Sequence, residues 1–221
     1  MKQKKQLVRL TESDLHRIIK ESVNNILKES QWDDITAKIN ERLAKGEDPN
    51  YIFDYVYDFH QGFALVKLND EYNFLTTRGR LLTNQWYDIM DECFYGGFAR
   101  VYIHRKGYNF INKEGQIISN QWFDEAYEFK SGFAKVELNK KLNYLNADGQ
   151  IISNQWFDDV YDFKNDISRV YIEGKGWNFL NTNGQLLFNQ WYKNLGNFYG
   201  GFADVYINGE WKKIDRNGEV Y

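Results

Sequence analysis

Three histidines, one cysteine and a recurring set of carboxylates are the side chains of this 221-residue chain with chemistry to offer. His16, His60 and His104 are far apart in sequence, and Cys93 has no histidine near it. Zinc needs about four such donors in close spacing, and a nucleophilic thiolate needs a positive neighbour. Neither pattern is present, so no metal, cofactor or catalytic residue is expected. A phosphate loop, a nucleophile elbow and a dinucleotide fingerprint are also missing. The carboxylates are more regular. Asp88, Asp124 and Asp158 each follow an aromatic residue after a tryptophan, while Asp58, Glu128 and Asp162 each precede a phenylalanine. Stacked into rows, they would attract cations or a basic partner. Taken singly, each would accept hydrogen bonds from its own turn.

Their regularity comes from the elements that carry them. Trp86, Trp122, Trp156 and Trp191 recur at intervals of 36, 34 and 35 residues, each inside Asn-Gln-Trp-aromatic. Gly79, Gly115, Gly149, Gly184 and Gly218 keep the same beat. So does a Gly-Phe-Ala step at Phe63, Phe98, Phe133 and Phe202, which becomes Asp166-Ile167-Ser168 in the fourth copy. Residues 51–221 are therefore a tandem array of four full units and a partial fifth. The second unit shows how each is built. Residues 98–103 and 108–112 read as strands, 113–115 as a tight turn, and 116–119 as the start of a third strand leading into Asn-Gln-Trp. The expected fold is mainly β, with about three short antiparallel strands per unit, in an elongated or curved array. The units stack because none can bury its own face. The expected core is Trp86, Trp122, Trp156, Trp191, Phe63, Phe98, Phe133 and Phe202. The competing role for the tryptophans is sugar stacking on an exposed face.

Two helices are expected before the array. Residues 12–29 begin at Thr11, a good N-cap, with Asp14 at N3. Leu15, Ile18, Ile19, Val23, Ile26 and Leu27 form one apolar stripe that needs cover. That cover is either the chain's own array or a second copy of the same helix, or else another protein that takes 1–30 as a docking segment. A second helix at about 33–45, with Ile35, Ile39 and Leu43 on one face and Gly46 as its stop, would cap the first unit. Gln31-Trp32-Asp33-Asp34 resembles the element that the last unit lacks, so a closed, propeller-like ring is the alternative architecture.

Composition narrows the function classes. Net charge is −3, with a local +3 over residues 1–30, which gives no support for nucleic-acid binding. No apolar run is long enough to span a membrane, and no secretory signal is visible. The expected location is the bacterial cytoplasm, or association with a phage. Aromatics make up 18% of the chain although mean hydropathy is −0.67, as suits many half-buried strands.

The unit resembles the WG (KWG) repeat. Gly174-Lys175-Gly176-Trp177-Asn178-Phe179-Leu180-Asn181-Thr182-Asn183-Gly184 and residues 208–218 follow its core pattern, and Asp159-Val160-Tyr161-Asp162-Phe163 follows its linking step. The family's Gly after Trp is replaced by Asn73, Asn109, Asn143 and Asn178, and by Lys212 at the end. Asn tolerates left-handed geometry, so the expectation is that a turn survives there. The leader 9–23 is similar to a short segment on proteins of gut Bacteroidetes and their tailed phages. These resemblances imply a non-catalytic repeat scaffold that binds another protein, with the leader as an address. A carbohydrate- or cell-wall-binding module and a phage virion or assembly component are the alternatives.

Overall fold

A computed structural model describes residues 32–221. The expected leader helix at 12–29, with its apolar stripe, lies outside the described residues. Residues 32–44 are helical (α1). Gly46 follows at φ +80°, and a 3-10 turn spans Pro49–Tyr51 with the Asp48 side chain as its cap.

Fifteen strands then form five three-stranded antiparallel sheets, one per unit. The first holds β1 (Tyr55–His60), β2 (Phe63–Leu68) and β3 (Glu71–Thr76). The second holds β4 (Ile89–Met90), β5 (Phe98–Ile103) and β6 (Gly107–Asn112). The third holds β7 (Glu125–Ala126), β8 (Phe133–Leu138) and β9 (Lys141–Asn146). The fourth holds β10 (Asp159–Val160), β11 (Ile167–Ile172) and β12 (Gly176–Asn181). The fifth holds β13 (Leu195–Tyr199), β14 (Phe202–Ile207) and β15 (Glu210–Asp215), so its three strands are complete. No helix among the described residues is long and apolar enough to cross a membrane.

The third strand of each sheet is not where the sequence pattern put it. Residues 116–119 add only a single bridge, Ile117 to Ile111. In the second to fifth sheets the third strand instead comes from the segment after the tryptophan, and that segment serves two sheets. Tyr87 exchanges both backbone hydrogen bonds with Tyr72 of the first sheet, at 2.8 and 3.1 Å. The next residue, Asp88, donates its N–H to Tyr102 O of the second sheet, at 3.0 Å. Phe123–Asp124 and Phe157–Asp158 repeat the handover.

Alternation along each strand gives the first four sheets two apolar faces. In β2, Val66 faces back toward α1, and Leu65 faces forward to the second sheet. The forward face of each sheet packs on the backward face of the next, which produces four inter-sheet cores. Each holds a recurring aromatic pair: Phe74–Phe94, Phe110–Phe129, Tyr144–Phe163 and Phe179–Phe198, with ring centroids 4.7 to 4.9 Å apart. Where the fourth unit loses its Gly-Phe-Ala step, Ser168 takes the buried alanine position. Its hydroxyl hydrogen-bonds with Tyr144 OH and Tyr161 O, so the substitution leaves no unsatisfied group.

The two ends of the stack are finished differently. At the first, α1 lays Trp32, Ile39 and Leu43 over Val66, Leu75 and Trp86. Trp32 stacks on Trp86 at 4.7 Å, and Trp86 Nε1 donates to Thr36 Oγ1 at 2.9 Å. Trp32 thus caps the first sheet and does not complete the fifth. At the far end, the forward face of the fifth sheet carries Asp204 and Lys213, 2.5 Å apart, where the other sheets present an aromatic to the next unit. Among the described residues no strand pairing joins the first sheet to the last. With one terminal face covered and the other polar, the closed-ring alternative is not adopted.

Candidate functional site

The most uniform chemistry in the array is a buried amide. Asn73, Asn109, Asn143 and Asn178 are fully buried in the middle of β3, β6, β9 and β12. None has a positive φ, so the left-handed turn expected of them is absent. They replace the family's glycine for another reason. Asn143 Nδ2 donates to Ser153 O and Gln155 O at 2.9 and 3.1 Å, and its Oδ1 accepts from Tyr144 N–H at 2.8 Å. The other three make the same three bonds. One side chain thereby satisfies the loop that leaves the sheet, and this pulls 116–119 and its counterparts off the ladder.

The recurring acids divide into two groups. Asp88, Asp124 and Asp158 each accept one backbone N–H from the turn of their own sheet: His104, Asn139 and Glu173, at 2.7, 2.6 and 2.8 Å. They are turn braces. Asp158 also meets Lys141, and that contact, then the Glu173 N–H, holds its carboxyl below the usual carboxylate range. A depressed folded-state value adds stability above the ordinary carboxylate pKa, and that stability is lost as pH falls through the folded value. The melting-temperature gap between wild type and Asp158→Asn is therefore expected to be widest near neutral pH and to close as pH falls below about 4. A gap constant from pH 7 to pH 3 would show that the charge contributes nothing.

Of the second group, Glu128 and Asp162 line a groove between consecutive sheets, whereas Asp58 is exposed on the first sheet. One position on each long central strand faces forward, and its identity changes every time: Leu65, buried in the first inter-sheet core, then Arg100, Lys135 and Arg169 at grooves, and Asp204 on the terminal face of the fifth sheet. Arg100 pairs with Asp91 at 2.9 Å and donates to Ala126 O of the next sheet at 2.9 Å. Burial pushes the Asp91 carboxyl up, and the hydrogen bonds and charge of Arg100 oppose it. Lys135 lies 3.2 Å from Asp162 of the next sheet, with Lys130 3.8 Å from the same carboxylate. That groove encloses about 240 Å³. Asp162 thus serves a groove, whereas Asp158, four residues earlier, braces a turn.

Among the four repeat tryptophans, Trp86 is buried, while Trp122, Trp156 and Trp191 are half-buried. Phe63, Phe98 and Phe133 stack at 4.8, 4.3 and 4.5 Å on Phe94, Phe129 and Phe163 of the following sheet. Phe202 is 39% exposed and meets only Tyr221 edge-on. The phenylalanines at 94, 129, 163 and 198, which complete every inter-sheet core, do not stand out in the sequence. They stand 8, 7, 7 and 7 residues after the tryptophans, and they follow Cys93, Glu128, Asp162 and Asn197, so the signal was the spacing and not a shared tetrapeptide. His60 and His104 are exposed, and Cys93 is half-buried. Among the described residues no three His, Cys, Asp or Glu side chains gather as metal donors.

A stack of near-identical small sheets, pinned by aromatic contacts at each junction and capped by a helix, is the construction of a tandem repeat protein. The chain carries WG repeats: the family model described as a WG containing repeat matches residues 50–72, 110–141 and 144–175. No curated protein matches the sequence. Solved structures show distant likeness. The computationally designed Ika8 protein has 13% identity and a TM-score of 0.35, over 75% of this chain and 60% of that one. BamB from Moraxella catarrhalis has 10% identity and a TM-score of 0.35, over 75% and 59%. A protein of unknown function from Bacteroides caccae has 15% identity and a TM-score of 0.27, over 75% and 78%. The chain spans about three fifths of the length of the first two.

Proposed function

We propose that the array is a non-catalytic scaffold that binds another protein through its inter-sheet grooves, with the leader stripe of Leu15, Ile18, Ile19, Val23, Ile26 and Leu27 as a second docking element. The observation that carries this reading is the contrast between frame and grooves. The amide staple and the aromatic junctions are repeated almost unchanged, while the forward-facing position runs Leu65, Arg100, Lys135, Arg169, Asp204. A constant frame that presents a varied row of side chains suits recognition along an extended partner.

Affinity capture with the full chain from the cells that encode it tests the proposal, with an Arg100→Ala/Lys135→Ala variant and an Ile18→Asp/Ile19→Asp variant alongside. A captured protein whose recovery falls about tenfold with the groove variant supports groove binding. Loss with the leader variant alone moves the binding to residues 1–30. Equal recovery by all three forms removes both. A glycan ligand is the second reading, favoured by the half-buried Trp122, Trp156 and Trp191, whose indoles recur on one beat. It requires quenching of tryptophan fluorescence across a glycan panel, and no quenching ends it.

A further inference from the structure

The groove between the fourth and fifth sheets, at about 470 Å³, is larger than the one before it, at about 240 Å³, and its charges do not balance. Lys164, Arg169 and Arg216 all line it. Among the described residues none of the three has a carboxylate within 4.0 Å. The one acid on its wall, Asp162, is already engaged by Lys130 and Lys135 of the neighbouring groove.

The repeat supplies its own control. Lys130 and Lys135 of the third unit correspond to Lys164 and Arg169 of the fourth: Lys130 bridges Phe133 as Lys164 bridges Ile167. Asp162 stands two residues after Val160, which pairs with Val170, and its counterpart stands two after Leu195, which pairs with Val205. That counterpart is Asn197. The other carboxylate that serves an arginine in this array, Asp91 beside Arg100, corresponds to Tyr161. Both places from which a counter-ion could come are neutral in this groove alone.

Arg169 is nonetheless held firmly. Its guanidinium lies 4.4 Å from the Tyr161 ring centroid and 4.5 Å from that of Trp177. Nη1 donates to Leu195 O at 3.0 Å, while Nε is buried without an acceptor. Arg216 reaches in from the last turn, anchored on Asn165 O at 3.0 Å and lying over Phe198. A desolvated, pre-positioned guanidinium with unused donors favours a planar or tetrahedral oxyanion. It does so here on a chain whose net charge is −3.

We propose that this groove is an oxyanion-binding site, which takes a phosphate or carboxylate group between Lys164, Arg169 and Arg216, with Phe198 and Tyr199 flanking whatever carries the group. The proposal stands apart from the protein-binding reading, since it concerns a small group and one groove.

The test uses the full chain, labelled with ¹⁵N, titrated with sodium pyrophosphate and separately with citrate at fixed ionic strength, reading the Arg169 Nε–H resonance. Wild type is expected to show a saturable shift with at least one probe, and the probe that saturates at lower concentration names the preferred oxyanion. Asn197→Asp restores the carboxylate that the preceding groove has, at an exposed position that does not threaten folding, and is expected to weaken binding by at least about tenfold. Arg216→Gln is expected to weaken it by about threefold or more. No saturable shift with either probe overturns the proposal, and so does equal binding by Asn197→Asp.

Discussion

Gly184→Ala is expected to cost about 4 kcal/mol of folding stability, whereas Gly79→Ala is expected to cost about 1 kcal/mol, although both glycines occupy the same place in their units. The two share a positive φ, +76° at Gly184 and +65° at Gly79, so the backbone strain is common to both. They differ in what lies outside. A Cβ at Gly79 meets nothing within 4 Å, whereas a Cβ at Gly184 would fall on the carbonyl oxygen of Ile152 in the preceding unit. Gly149 faces Ile118 O in the same way. These glycines let the turn of one unit lie directly on the backbone of the one before. Their replacement acts on the junction, which in a stacked array is a nearest-neighbour term. Hydrogen exchange should show the fourth and fifth sheets losing protection in Gly184→Ala while the first two keep theirs. Uniform loss across all five sheets, or a melting shift equal to that of Gly79→Ala, would contradict the junction role.

Asn143→Ala is expected to lower stability by about 3–5 kcal/mol. The side chain is fully buried and satisfies three backbone groups: the carbonyls of Ser153 and Gln155 and the N–H of Tyr144. Each buried group left without a partner costs about 1–3 kcal/mol. Asn143→Asp is no rescue, because it loses both donors and places a charge in the interior. Lys212 gives the natural comparison. It holds the corresponding place in the fifth unit, and there the edge of β15 meets only the last residues, Tyr221 pairing with Lys213 at 2.8 and 3.1 Å. Lys212→Ala should therefore be nearly neutral. Chemical denaturation of the three variants measures the order, and an Asn143→Ala variant as stable as Lys212→Ala would refute the staple.

Most of the architecture was legible because it rests on repetition. The tryptophan beat and the Gly-Phe-Ala step located every hairpin from β2–β3 to β14–β15. Ile35, Ile39 and Leu43 located α1 and the face it buries. The asparagines were misread for a physical reason. In sequence, Asn before an aromatic and a few residues from glycine looks like turn chemistry, and only burial shows a strand residue whose amide works sideways. The extra strand at 116–119 came from the same blind spot, since the β-branched pair Ile117-Ile118 reads as strand and the amide that holds this segment by its carbonyls lies in another strand. The grooves were less legible still. Lys164, Arg169 and Arg216 are separated by up to 52 positions and come together only through stacking. What was available in the sequence was the departure of Asn197 from the acids at 128 and 162, each of the three standing six residues after its tryptophan.

The segment that leaves one sheet and opens the next has a consequence for the length of the molecule. Because Tyr87 pairs with the first sheet and Ile89–Met90 with the second, and the counterparts repeat this short handover, any excised stretch of one full period begins and ends at equivalent places. Copying or deleting such a stretch changes the number of storeys without disturbing the roof made by α1 or the polar floor of the fifth sheet. The gene can thus lengthen this protein in whole steps of 34 to 36 codons, each adding one groove, and shorten it the same way.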